Sequence, residues 1–165
     1  MEETRHRFHD ALRELEQKTL DGFELVIEQL DRALESVGSR DVELAATVVA
    51  GDDRINSCYR EIHEDALSLL ARQGPVASDL RLVAALLDIV RCVERMGDQC
   101  ANIAKLVPLS SSEATTDPHI WETIRRMGEL VRSQVSQAES WPRGFLRTRW
   151  RGCWPKRSAK RASSS

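Results

Sequence analysis

Three oxygen-bearing side chains, Glu94, Asp98 and Asn102, recur at every fourth position of V93-E-R-M-G-D-Q-C-A-N-I-A104. On a helix that spacing stacks them in one stripe. Gly97 lies beside the stripe, and its missing side chain leaves room for an ion or a neighbouring backbone. Two carboxylates on one helix face, met by a second pair from another helix, can chelate a multivalent cation. Oxygen donors suit hard metals such as iron, manganese or magnesium. Asp52 and Asn56 repeat the spacing with Asp53 adjacent, so they are candidate opposing ligands, although Asn56 brings an oxygen without a charge. A solvated helix face is the plainer reading: Glu94 with Arg91 or Arg95, and Asp98 with Arg95, as surface ion pairs worth about 0.2–0.5 kcal/mol each. Spacing alone leaves both open.

Other chemistry is sparse. His6 and His9 stand three apart near the N-terminus and could chelate, but exposed side chains are expected there; His63, among Glu61, Glu64 and Asp65, reads as solvated, and nothing in the sequence around His119 argues for a role. A metal-storage or metalloenzyme bundle of carboxylate type needs a Glu-x-x-His pair in its core. The best match, Glu3 and His6, sits at a fraying end. No Ser/His/Asp arrangement, Gly-rich phosphate loop or nucleophilic cysteine setting is present, so no catalysis is expected. Cys58, Cys92, Cys100 and Cys153 form no C-x-x-C pair; the first three read as small core or boundary fillers with reduced thiols.

Long helices must position the stripe. Phe8, Leu12, Leu15, Leu20, Phe23, Val26, Ile27, Leu30, Ala33, Leu34 and Val37 recur at three and four, which predicts a helix over roughly 4–37, ended by Gly38 in a left-handed C-terminal position. Gly22 inside it is expected where another helix passes close. A second helix spans about 41–72, bent or continuous through Gly51-Asp52-Asp53, and Gly74-Pro75 stops it. The third begins between Pro75 and Asp79, with Ser78 or Asp79 as cap, and runs to about Val107. It is apolar over most of its circumference and so is expected to be central. The expectation is an all-α chain: an up-down-up three-helix bundle over 4–107, a linker at 108–117, and a partial fourth helix over 118–140. A weak internal repeat aligns F8-H-D-A-L-R-E-L15 with I120-W-E-T-I-R-R-M127, which makes the fourth helix the start of an incomplete second repeat, without bundle partners to cover Ile120, Ile124, Met127, Leu130 and Val131.

An irregular tail, 141–165, departs from this pattern. It holds three of the four Trp and eight basic residues with no acidic one. A basic-aromatic arm for lipid or nucleic acid, disordered filler, and out-of-frame translation of a GC-rich gene all fit such a composition; the last accounts best for Arg, Trp, Pro, Ser and Gly together. The remaining 140 residues carry 16 basic against 26 acidic side chains, a net of −10, a poor surface for nucleic acid. No run of 18 apolar residues and no basic-then-apolar leader occurs, so a cytoplasmic protein is expected.

P75-V-A-S-D-L-R81, followed by E94-R-M-G-D98 and A101-N-I-A104, together with V49-A-G-D-D-R-I-N56, resembles the signature of the PhoU-type phosphate-uptake regulators over about residues 5–107. The resemblance implies two tandem three-helix bundles in the complete family fold, of which nearly all of the second is missing here. It implies a non-catalytic regulator, peripheral to the inner face of the membrane and commonly dimeric. Such a regulator couples a phosphate-specific ABC transporter and its ATPase to a sensor histidine kinase and represses the phosphate-starvation response. Some members hold multinuclear iron or zinc clusters through E(D)-x-x-x-D motifs. By that pattern Glu94 and Asp98 match one motif, and Asp52 and Asn56 the other with Asn in place of the second acid. Asp79, Arg81, Arg91, Arg95 and Asn102 are then the expected partner contacts.

Overall fold

The computed structural model describes residues 2–72, 77–110 and 118–139. Among them are four long helices and one short turn of helix: α1 (Glu2–Ser39), α2 (Val42–Arg72), α3 (Ala77–Lys105), α4 (Val107–Ser110) and α5 (Pro118–Glu139). The core shows how the first three run. At one end, Phe8, Leu12 and Leu15 of α1 meet Ile62, Ala66 and Leu69 of α2 and Leu82, Val83, Leu86 and Val90 of α3. Val26, Ile55 and Val93 form the waist. At the far end Leu30, Ala33 and Val37 meet Ala45, Val48, Cys100, Ala104 and Val107. The start of α1 therefore lies beside the end of α2 and the start of α3, which is the expected up-down-up bundle.

Gly22 lies where a neighbour is close, since a Cβ there would stand 3.2 Å from Val93 Cγ1 and 3.6 Å from Cys58 Sγ. Helix α2 passes through Gly51 unbroken. That glycine serves packing: a Cβ would fall 2.9 Å from the Gln29 amide, which is buried and donates from Nε2 to the Val48 carbonyl at 2.5 Å. The thiols vary in setting. Cys100 is buried, Cys58 half-buried and Cys92 exposed. The Gly74-Pro75 stop and the 141–165 tail lie outside the described residues.

The first turn differs from expectation. Helix α1 continues through Gly38, and Arg40 takes the left-handed conformation at φ 55°. The Asp41 amide donates to the Ser36 carbonyl at 3.0 Å, a six-to-one closure that satisfies one of the last carbonyls of α1. Asp41 then caps α2, its Oδ1 accepting from the Leu44 amide at 2.9 Å. With Asp41 placed to cap the next helix, the reversal falls on the residue before it, and that residue is not the glycine.

Helix α5 was expected without bundle partners, and it has one. It lies along α1, with Gly128 pressed on Leu34, Arg132 Nε donating to Asp31 Oδ1 at 2.7 Å, and Trp121 and Ile124 packed on the far-end core. Val135 is buried, whereas Ile120, Met127, Leu130 and Val131 stay exposed.

A left-handed non-glycine residue is strained by about 1–2 kcal/mol, partly offset by the extra unfolded-state freedom of glycine. Arg40→Gly is therefore expected to stabilise the bundle by about 0.5–1 kcal/mol, read as a higher urea midpoint at unchanged slope.

Candidate functional site

Of the stripe on α3, Asp98 lies near Asp52 where α2 and α3 cross. Gly97 is buried in α3, and a Cβ on it would stand 2.8 Å from Ile55 Cδ1, 3.0 Å from Ile55 Cγ2 and 3.2 Å from Asp52 Oδ1. The absent side chain at Gly97 thus admits a residue pair from α2, one apolar and one acidic. Asp52 as a whole is half-buried, but its Oδ1 is sealed from solvent and has no hydrogen-bond partner. Its Oδ2 accepts from Asn56 Nδ2 at 3.0 Å. Burial pushes the Asp52 carboxyl above its usual value and the nearby charge of Asp98 adds to this, while the Asn56 hydrogen bond and Lys105 pull it back.

Asp52, Asp98 and Asn56 are therefore brought together. In this arrangement Asn56 steadies Asp52 through its amide nitrogen. Glu94 lies one turn from Asp98 and is half-buried; Asn102 is exposed and its Oδ1 accepts from Lys105 Nζ at 3.5 Å. The ion pairs considered for a plain solvated face do not form: among the described residues Arg91, Arg95, Glu94 and Asp98 make no salt bridge with one another. Arg81, Arg91 and Arg95 are exposed. Asp79 is buried at 7% exposure in the first turn of α3, with Ser78 Oγ donating to its Oδ1 at 3.4 Å. There a negative charge favours the helix N-terminus.

Spacing did not reveal Lys105 and Cys100. Lys105, two turns past Asp98, is the cation acting on Asp52. The Cys100 thiol is pushed up to about 11, mainly by burial and then by the charge of Asp52, which favours the protonated thiol. The heptad separating Lys105 from Asp98 is the only signal that could have suggested the first.

An orphaned, desolvated carboxylate oxygen facing a second carboxylate is what a hard cation would relieve. The pair fits one such ion, since one or two carboxylates completed by water suffice for some divalent ions. Among the described residues no group of three or more His, Cys, Asp or Glu that could hold a metal ion comes together.

Residues 19–107, which contain all of α2 and α3, match the PhoU domain. The chain belongs to the PhoU family. It is 33% identical over 127 residues to the Aquifex aeolicus phosphate-specific transport system accessory protein PhoU homolog, covering 77% of this chain and 57% of the relative. It is 36% identical to the Streptococcus pneumoniae homolog, covering 80% and 60%. The crystal structure of the phosphate transport system regulatory protein PhoU from Streptococcus pneumoniae superposes with a TM-score of 0.73 at 33% identity, over 80% of this chain and 61% of that one. The chain thus spans about three-fifths of the length of these relatives. The all-α fold expected from the sequence is that of the PhoU structure.

Two expectations follow from the crossing. Gly97→Ala overpacks it and should cost about 1–3 kcal/mol in denaturant unfolding; Ile55→Val in the same chain removes the Cδ1 that the new methyl meets and should recover part of the loss. For Asp52, the raised folded-state value means the native state holds a proton that the unfolded chain has released, so its contribution falls as pH rises through that window. Metal-free Asp52→Asn should accordingly melt higher than the parent at pH 7.5, with the difference shrinking towards pH 3 in thermal scans with chelator.

Proposed function

We propose that the chain is a non-catalytic regulator of phosphate transport that acts by docking. The matched relatives carry the names of phosphate-specific transport accessory proteins, and the PhoU domain match takes in the whole of the α2–α3 crossing. The observation that carries the reading is the outer side of α3. Arg91 and Arg95 stand exposed there, and among the described residues neither forms a salt bridge with the half-buried Glu94 or Asp98 at the crossing beside them. Opposite charges left apart on one face remain available to a complementary partner, and such matching governs encounter rate and specificity more than affinity.

The partners in this reading are the sensor histidine kinase and the ATPase of a phosphate-specific ABC transporter. No helix among the described residues is long and apolar enough to cross a membrane, so placement at the inner membrane face would come through those partners. Docking would repress the phosphate-starvation response by changing which partner is held. Asp52 and Asp98 would anchor a bound cation, iron or zinc by the family pattern, with Glu94 one turn away as a further carboxylate. The ion would supply positive charge that neutralises the crossing. Asn56 would hold Asp52 in place, and Arg81, Arg91 and Arg95 would contact the partner.

Immobilised full chain is expected to retain the purified kinase or transporter ATPase. Arg91→Glu with Arg95→Glu should weaken that capture by about tenfold or more, a loss of about 1.4 kcal/mol, without lowering the melting temperature. In parallel, iron or zinc should raise the melting temperature of the parent and leave Asp52→Asn/Asp98→Asn unmoved. Retention of neither partner by the parent chain would refute the docking reading; equal metal stabilisation of the double variant would refute the ligand assignment.

A further inference from the structure

From the crossing at Asp52 and Asp98 the same helix faces run on towards the other end of the bundle and change character there. On α2 the spacing of four and three continues through Tyr59, His63 and Leu67; on α3 it continues through Arg91, Leu87, Ala84 and Leu80. Tyr59 and Leu87 pack half-buried on the Phe8–Ile62 core, and the His63 ring is centred 5.8 Å from that of Tyr59. The antiparallel register set by Ile55 against Gly97 brings Leu67 about level with Ala84, with Leu80 one turn further along α3. Ala84 is exposed and short, so the two banks enclose a shallow apolar groove edged by Leu67 at 50% and Leu80 at 48% exposure. Helix α5 is seated elsewhere, on Leu34 and Asp31 of α1. The charges beside the groove are unpaired. Arg13, Arg32, Arg54 and Arg132 are each bridged to a carboxylate. Arg81, Arg91 and Arg95 are exposed, and among the described residues none of them forms a salt bridge. Between residues 80 and 95 Asp88 is the exposed acid against these three bases. The α3 bank is thus positive on a chain body that is acidic as a whole.

We propose that this groove receives an amphipathic helix of a partner protein. Its apolar stripe lies between Leu67 and Leu80, and its carboxylates meet Arg81 at one end and Arg91 and Arg95 at the other. Ten to fourteen residues of α3 separate those arginines, about 15–21 Å, so the docked helix spans about three to four turns. A helix laid in a groove is held by side chains at three-and-four spacing, and burying the two leucines drives the association. Arginine suits a carboxylate because its guanidinium presents a planar fork of donors. The charges then select an acidic-flanked helix over a basic one and fix where it sits along the groove. Which protein supplies the helix rests on the docking reading above; its chemistry rests on the groove.

The probe is a fluorescein-labelled helical peptide of about 18 residues, or five turns, with a leucine stripe and glutamates at both ends. Its control carries lysines in place of the glutamates. By anisotropy with the full chain, the glutamate peptide is expected to bind at least about tenfold tighter than the lysine peptide. Leu67→Ser/Leu80→Ser changes two exposed side chains and should weaken that binding by about tenfold; the same variant should lose capture of the kinase or ATPase. Arg81→Glu/Arg91→Glu should reverse the preference, so that the lysine peptide binds better. Met127→Glu/Val131→Glu, on the exposed side of α5, should change nothing. Equal binding of the two peptides overturns the proposal, as does binding lost in the α5 variant alone. A parent that binds neither peptide also overturns it, and one that then co-sediments with phosphatidylglycerol vesicles assigns the groove to lipid. Peptide binding as described without capture of either partner removes the docking reading and leaves the groove; capture at full strength by the leucine variant does the reverse.

Discussion

The contact on which the site depends is the close passage of α2 over Gly97. Three long amphipathic helices can pack in many ways if apolar faces are all they share, because hydrophobic burial is non-directional. A glycine at one point of one helix removes that freedom. It lets Ile55 sit flush against α3 and so sets how closely the two helices approach at the waist. The same approach brings Asp52 against α3 with one oxygen sealed from water. Packing and electrostatics are therefore coupled here: the bundle gains an apolar lock at Ile55 and accepts an unsatisfied carboxylate as its neighbour.

That carboxylate sits badly with the fold and well with a binding role. A buried oxygen without a donor is costly, and burial together with Asp98 pushes Asp52 towards its protonated form. Asn56 and Lys105 offset this only in part. Sites that hold a charge against such opposition are enriched where a ligand or partner supplies the missing counter-charge. The oppositely charged side chains just outside, on the outer side of α3, are also left apart, so the crossing and its rim share one unmet electrostatic demand.

Much of this was legible in the sequence, for reasons specific to helices. Periodicity at three and four located α1, α2 and α3 to within a few residues, because the buried face of a long helix is written repeatedly along it. The spacing of Glu94, Asp98, Asp52 and Asn56 singled out residues of which Asp52, Asp98 and Asn56 lie together at the crossing of α2 and α3, and Gly97 and Gly22 were read as close-approach points, which they are. What escaped depended on relations between helices. Gly38 looked like the end of α1, but the cap chemistry of Asp41 moved the turn onto Arg40. The ion pairs weighed as the plainer reading of α3 do not form among the described residues, and Asn56 turned its nitrogen to Asp52. Helix α5 found a seat on α1 that its own sequence could not announce, since the seat consists of Leu34 and Asp31, far away in the chain.

The buried amide of Gln29 has a mechanical consequence. Its donor contact to the Val48 carbonyl ties one place on α1 to one place on α2. Were α1 to slide by a turn along its partner, the leucines and valines would find new apolar neighbours at little loss, but the amide would be stranded in hydrocarbon at a cost of about 1–3 kcal/mol. Together with the close approach at Gly22 and the Lys18–Asp65 and Arg32–Thr47 contacts, this contact fixes the register of α1 on α2. Any tilt or shift passed along α1 from the end where α5 is seated would reach α2 as a rigid displacement one turn short of Asp52.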